Sequence, residues 1–116
     1  MQFEMETCDD GLQCVAVIGE ISPVEPGLSA FQEQCGGSSF TKPILLNLES
    51  APFINSAGIG WLLTLHKRSK ADGGRLILHS LAPAVRNVVK LMSVDRVLEI
   101  SDDRMAAEKL VMEQLS

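Results

Sequence analysis

The chain has 116 residues, of which 46% are hydrophobic and 22% charged, and ten basic against fifteen acidic side chains give a formal net charge of -5. This length and composition fit one soluble globular domain over residues 1–116 and exclude a disordered or fibrous chain. The acidic balance argues against a nucleic-acid backbone as partner, because that contact needs a basic face to displace counterions.

"FEMETC" at 3–8 and "LQCVAVIG" at 12–19 are strand-like runs on either side of Asp9-Asp10-Gly11, and they predict a hairpin. Pro23 and Pro26 then interrupt the chain, after which "GLSAFQEQC" at 27–35 predicts a short helix that stops at Gly36-Gly37. "GGSSFTKP" has the composition of a surface loop. Pro43 opens "ILLNL" at 44–48, whose nearly continuous apolar character predicts a central strand covered on both faces. Helical spacing over 59–71 puts Ile59, Leu62, Leu63, Leu65 and Ser69 on one face and Thr64, Lys67 and Arg68 opposite, the pattern of an amphipathic helix docked on a sheet.

After Asp72-Gly73-Gly74, "RLILHS" at 75–80 predicts the next strand and completes a parallel, right-handed strand-helix-strand unit. Pro83 suits the first turn of a third helix in which Val85, Val88, Val89 and Met92 recur at helical spacing. "RVLEI" at 96–100 predicts a last strand. Ser101 or Asp102 then caps a final helix, with Met105, Ala106, Leu110 and Leu115 on its buried side. The chain thus reads as α/β, with a mixed sheet of about five strands and about four α-helices.

The apolar runs fall well short of the roughly 18 residues a membrane span needs, and no basic n-region opens the chain, so a cytoplasmic protein without membrane contact is expected. Cys8, Cys14 and Cys35 are odd in number and lack the paired spacing of zinc sites, which predicts inert, buried thiols in a reducing compartment. A serine hydrolase elbow is missing, since Ile54 stands where its first glycine belongs. "GGSSFTK" at 36–42 leads into a strand, so it lacks the helix amides of a phosphate loop. Of the two histidines, His66 lies within the apolar stripe as a core imidazole, and His79 ends a strand near the rim where parallel sheets place active sites. The reading is a protein without catalysis, metal or cofactor.

Ser56 falls in the first turn of the helix at 59–71 or just before it, where backbone N–H groups lack intrahelical partners and the macrodipole is positive, so a phosphate is tolerated there. Asn55 is an N-cap candidate, and Ala57 and Gly58 keep the turn slim. Ser56, Gly60, Thr64 and Lys67 follow the solvent side, with Trp61 at its margin beside Arg68, a stripe that could face another protein. The plainer alternative is that Ser56 only caps the helix and Trp61 only flanks the core.

"IGEI" at 18–21, "ILLNLESAPFINSAGIGWLLTLHKR" at 44–68, "GGRLILHSLAPAVRNVVKLMSVDRVLEI" at 73–100 and "AAEKL" at 106–110 together resemble the STAS domain of bacterial anti-sigma factor antagonists over nearly the whole chain. In that family the strand runs into Asp-Ser-[Ser/Thr]-Gly and the serine after the aspartate is the phosphoacceptor. The resemblance therefore implies Ser56 as phosphoacceptor, Gly58 as the motif glycine, and a partner surface of Asn55, Ser56, Ala57, Gly58, Gly60, Trp61 and Thr64 with Glu20, Ile21 and Ser22. It implies that the unphosphorylated protein captures an anti-sigma factor that is also its serine kinase, that phosphorylation releases it, and that a phosphatase resets it. A monomer or weak dimer is expected. Asn55 stands where the family has aspartate, Ala57 removes a second hydroxyl, Pro23 and Pro26 reshape the loop after "GEI", and Ser93 takes a glycine position after the third helix. Two other readings stay open at this stage: the same fold as a scaffold whose serine is never modified, and a module that binds a small ligand between the 19–26 loop and the helix start.

Overall fold

The computed structural model describes residues 1–8, 11–22, 29–34 and 40–115. β1 (Gln2–Glu6) and β2 (Gln13–Ile18) pair antiparallel, from Gln2 against Ile18 to Glu6 against Cys14. Gly11 holds a φ of +89° in the turn between them, the left-handed region that glycine enters without a Cβ penalty. Asp9 and Asp10 lie outside the described residues, as do Pro23, Pro26, Cys35, Gly36 and Gly37. There follow α1 (Ser29–Gln34), β3 (Ile44–Asn47), α2 (Ser56–Ala71), β4 (Leu76–His79), α3 (Pro83–Leu91), a 3-10 turn at Val94–Arg96, β5 (Glu99–Ser101) and α4 (Arg104–Leu115).

The sheet order is β1-β2-β3-β4-β5, with β2 through β5 parallel. Right-handed crossovers that always step in the same direction put every connecting helix on one face. On that face Val15, Val17, Ile44, Leu46, Leu76 and Leu78 meet Phe31 of α1, Leu62 and Leu65 of α2, and Val85 and Val89 of α3 in one apolar core. Alternation sends Cys14, Leu45 and Ile77 to the opposite face, where they meet Ala107 and Val111 of α4. Each fully buried Leu or Ile contributes about 1.5–3 kcal/mol relative to exposure. All four residues of β4 are buried, as the covered position of the strand requires. Arg75, at the foot of β4, clamps Glu99 of β5 through Nε at 2.8 Å and Nη2 at 2.5 Å and donates from Nη1 to the Leu110 carbonyl of α4 at 3.2 Å.

Three expectations are corrected. The last strand begins at Glu99, not at Arg96, because Ser93 turns left-handed at φ +58° and starts the 3-10 turn that consumes Val94–Arg96. α4 is capped by Asp103, whose Oδ1 accepts from the Ala106 amide at 2.8 Å, in place of Ser101 or Asp102. Among the described residues its buried positions are Ala107 and Val111, with Leu110 partly buried against the same Cys14, Leu45 and Ile77 cluster, while Met105 is 78% exposed; the Leu115 side chain lies outside the described residues. Met92 serves as the C-cap of α3 and is exposed. Cys14 is buried and its thiol is pushed up to about 12 by that burial and by its contact with Cys8, which keeps it protonated and unreactive near neutrality. No described helix is long and apolar enough to cross a membrane.

Candidate functional site

The carboxyl end of β3 leads through residues 48–54 to the first turn of α2, and a second segment from the end of β2 is tied alongside it. The Gly19 amide donates to the Ser50 carbonyl at 3.0 Å, the Ile21 amide to the Phe53 carbonyl at 2.9 Å, and the Asn55 amide to the Ile21 carbonyl at 3.3 Å. Ile21 and Ile54 pair as a parallel bridge and are both buried, which anchors the two segments to the core. Glu20, Ile21 and Ser22 are thereby brought to the start of α2. Glu20 is exposed and Ser22 half-buried, but the Ile21 side chain points inward.

Asn55 is the N-cap. Its backbone is extended at φ -104°, and its Oδ1 accepts from the Gly58 amide at 2.8 Å while its carbonyl accepts the first helical bond from Ile59 at 3.0 Å. Ser56 is therefore the first helical residue, and it is exposed together with Asn55 and Ala57. The capping role that the plain alternative gave to Ser56 belongs to Asn55. The first turn holds no acidic residue, so the positive end of the α2 dipole is not offset within that turn.

Gly58 is buried for a reason of its own: a Cβ there would stand 2.0 Å from the Ile21 carbonyl oxygen and 2.7 Å from the Ile54 side chain. It sets the close approach of α2 to the 19–22 segment and presents no side chain outward. Gly60 faces open space, and Thr64 is exposed with its hydroxyl donating to the Gly60 carbonyl at 2.9 Å. Ser56, Ala57, Gly60, Thr64 and Lys67 thus share the outer side of α2.

Trp61 does not belong to that side. It is 1% exposed, stacked on Phe3 of β1 at 5.4 Å between ring centroids and set edge-on to Phe31 of α1 at 6.1 Å. This corrects the sequence reading that put it at the solvent margin beside Arg68: the core continues sideways under β1 and α1, and the indole fills that extension. Arg68 lies instead over the Phe40 ring at 4.8 Å and pairs with Asp72 at 2.8 Å.

Sequence reasoning missed Phe53, which is 45% exposed. The bridge that turns Ile54 inward turns Phe53 outward beside the helix start, and the signal was the alternation of Phe53 and Ile54 in an extended segment. His79 occupies the rim position at the end of β4, but it is 1% exposed, with Nδ1 at 2.9 Å from the Ser80 hydroxyl. Burial holds its pKa below the usual 6.5, and it opens onto no surface. Among the described residues no group of three or more His, Cys, Asp or Glu side chains could hold a metal ion. The groove expected beside the 19–26 loop falls partly outside the described residues.

A family model described as the STAS domain matches residues 8–107. An anti-sigma factor antagonist from Mycobacterium paratuberculosis is 21% identical, with 96% of this chain and 95% of that chain covered at a TM-score of 0.74. An anti-sigma-factor antagonist (STAS) domain protein from Planctomyces limnophilus is 20% identical over the whole of both chains at a TM-score of 0.72. The anti-sigma factor antagonist SpoIIAA in its unphosphorylated form is 21% identical, with 93% of this chain and 95% of that chain covered at a TM-score of 0.67. At these identities the likeness establishes the shared architecture.

Proposed function

This chain belongs to the STAS domain family, and from that premise we propose that it is an anti-sigma factor antagonist, a binding protein that captures an anti-sigma factor through the start of α2 and lets go when Ser56 is phosphorylated. The observation that carries the reading is the exposed Ser56 hydroxyl on the first helical residue, flanked by exposed Asn55, Ala57, Gly60 and Phe53 and by the Glu20–Ser22 segment tied alongside. A docking surface of this kind combines an apolar contribution from Phe53 with small residues that let a partner backbone approach closely.

A phosphate on Ser56 adds about -1.5 to -2 charges, which the amino end of α2 stabilises locally. At a covered interface the same charge is desolvated, and an unpaired buried charge costs about 3–5 kcal/mol, a weakening of roughly a hundredfold or more at 1.4 kcal/mol per decade. Modification therefore leaves the fold intact and disables docking. The partner that fits is an anti-sigma factor with serine kinase activity, and a phosphatase restores the free hydroxyl. The scaffold reading retains one supporting observation, Asn55 in place of the family aspartate: its carboxamide keeps the cap but cannot act as a carboxylate in a kinase site.

Affinity purification of the tagged protein from its own cells, with Ser56→Ala and Ser56→Glu alongside wild type, tests the proposal. A kinase-like anti-sigma factor retained by wild type and Ser56→Ala and lost by Ser56→Glu is the expected result, with a single phosphate on Ser56 in part of the wild-type protein. Equal retention by all three, in a stable multi-subunit particle that carries no phosphate, would establish the scaffold instead.

A further inference from the structure

The end of α2 remote from Ser56 closes a second concavity, which the docking reading does not use. Lys70 lies fourteen residues beyond Ser56 on the same helix, about 21 Å along its axis at 1.5 Å per residue. There a groove of about 560 Å³ opens between the last turns of α2, the foot of β4 and the residues leading into β5. That volume lies within the range of small-molecule sites.

Its lining divides by chemistry. Leu76 and Val97 supply an apolar part, and Val97 is exposed although it is a large hydrophobic residue. His66, Lys70 and Arg75 supply bases, against the single carboxylate of Glu99. That carboxylate is already held on both oxygens by Arg75, whose guanidinium is also fixed by the Leu110 carbonyl. With Arg75 and Glu99 paired, Lys70 is the formal positive charge left in the lining of the groove, on a chain of net charge -5. His66, which lines the groove, adds an unmet need: its Nδ1 is buried and has no hydrogen-bond partner among the described residues.

We infer that this groove binds a small organic anion, a carboxylate or phosphate group on a compact apolar body. Lys70 and His66 take the anionic end, and the exposed Val97, with the buried Leu76 beneath the groove, takes the body. The inference is independent of the docking surface, since the two sites lie at opposite ends of α2.

Two-dimensional amide NMR of the full chain, titrated with phenyl phosphate and benzoate, tests it, with inorganic phosphate and benzyl alcohol as probes that carry one feature each. Saturable shifts of the Lys70, Gly74 and Val97 amides by phenyl phosphate or benzoate are expected, and the tighter of the two names the anionic group. Each single-feature probe binds at least about fivefold more weakly, and Lys70→Gln weakens the better ligand by about fivefold, the loss of one partly exposed charge contact. Ser56→Glu leaves the titration unchanged. The inference is overturned by the absence of shifts at about 10 mM ligand, a concentration that would populate even a millimolar site. Shifts centred on residues 56–58, or an affinity unaltered by Lys70→Gln in a variant whose other resonances are unmoved, would overturn it as well.

Discussion

Gly58 and Ile21 touch through backbone alone: a Cβ on the glycine would stand 2.0 Å from the isoleucine carbonyl oxygen. No rotamer relieves such a clash, because the obstacle is main chain and is itself bonded to the Asn55 amide at 3.3 Å. Gly58→Ala must push the 19–22 segment away from α2, at a cost of about 1–3 kcal/mol for overpacking. Gly60, two residues on, has nothing within 4 Å of its would-be Cβ, so Gly60→Ala gains up to about 1 kcal/mol of helix propensity. Urea unfolding of the two variants should move in opposite directions, and matching shifts would refute the assignment of Gly58 to close packing.

Asn55 caps α2 through a single 2.8 Å bond to the Gly58 amide. Asn55→Ala removes that acceptor and should cost about 1 kcal/mol, within the 0.5–2 kcal/mol span of N-cap truncations. Asn55→Asp keeps the acceptor and adds a negative charge at a helix start whose first turn has no acid, which should stabilise by about 0.3–1 kcal/mol at low salt. Thermal melts at pH 7 and in raised salt separate the two contributions, since only the charge component is screened. A destabilised Asn55→Asp would show that the carboxamide N–H₂ matters, which the cap geometry does not suggest.

Trp61 marks where the sequence stopped being legible. The helix around it was readable because Ile59, Leu62, Leu65 and Ser69 recur at helical spacing, and all four are buried. A single-helix wheel assumes a core directly beneath the helix, whereas here β1 and α1 widen the core sideways with Phe3 and Phe31, which no periodicity within 59–71 can register. The final helix was only partly legible for the same kind of reason: its inner face is chosen by the space over Cys14, Leu45 and Ile77, which takes Ala107, Val111 and part of Leu110 and leaves Met105 outside. The Ser56 turn, by contrast, was legible because caps are set by neighbours in sequence, and Phe53 was missed because its exposure depends on a bridge to residue 21. Trp61→Ala should therefore cost about 3–5 kcal/mol, as for other buried large aromatics. Indole fluorescence checks the placement: the native emission should be blue-shifted and poorly quenched by iodide, and a solvent-like maximum would put the ring back on the surface.

Ser93 sits at φ +58° and ψ +21° between α3 and the 3-10 turn. A left-handed conformation costs a residue with a Cβ about 1–2 kcal/mol, part of which glycine gives back through its larger unfolded-state entropy. Ser93→Gly should raise stability by about 0.5–1 kcal/mol, with Ser93→Val lowering it as a β-branched side chain enters the same region. Denaturant midpoints of the two variants report the sign directly. Ser80, at φ +57°, is a poorer candidate for the same change, because its hydroxyl lies 2.9 Å from Nδ1 of His79.

His79 gives the fold a pH dependence whose sign follows from its burial. The imidazole is buried, its Nε2 has no partner among the described residues, and burial lowers its pKa from 6.5. Glu6, Asp103 and Glu108 act in the opposite direction, and Arg104 adds to the lowering. The folded state therefore binds a proton less readily than the unfolded chain. Above pH 6.5 both states are neutral at this position and the stability is fully present; as pH falls from 6.5 through the lower folded pKa, the unfolded chain takes up the proton first. Stability drops across that window by up to about 1.4 kcal/mol per pH unit. His79→Gln removes the titration while keeping a polar side chain of similar length. Urea unfolding from pH 7.5 to 5 should then show a steeper decline for wild type than for the variant, because the carboxylates contribute to both curves alike. Parallel curves would mean that the ring accepts its proton inside the fold as easily as in water, which an orphaned nitrogen sealed against α4 does not permit.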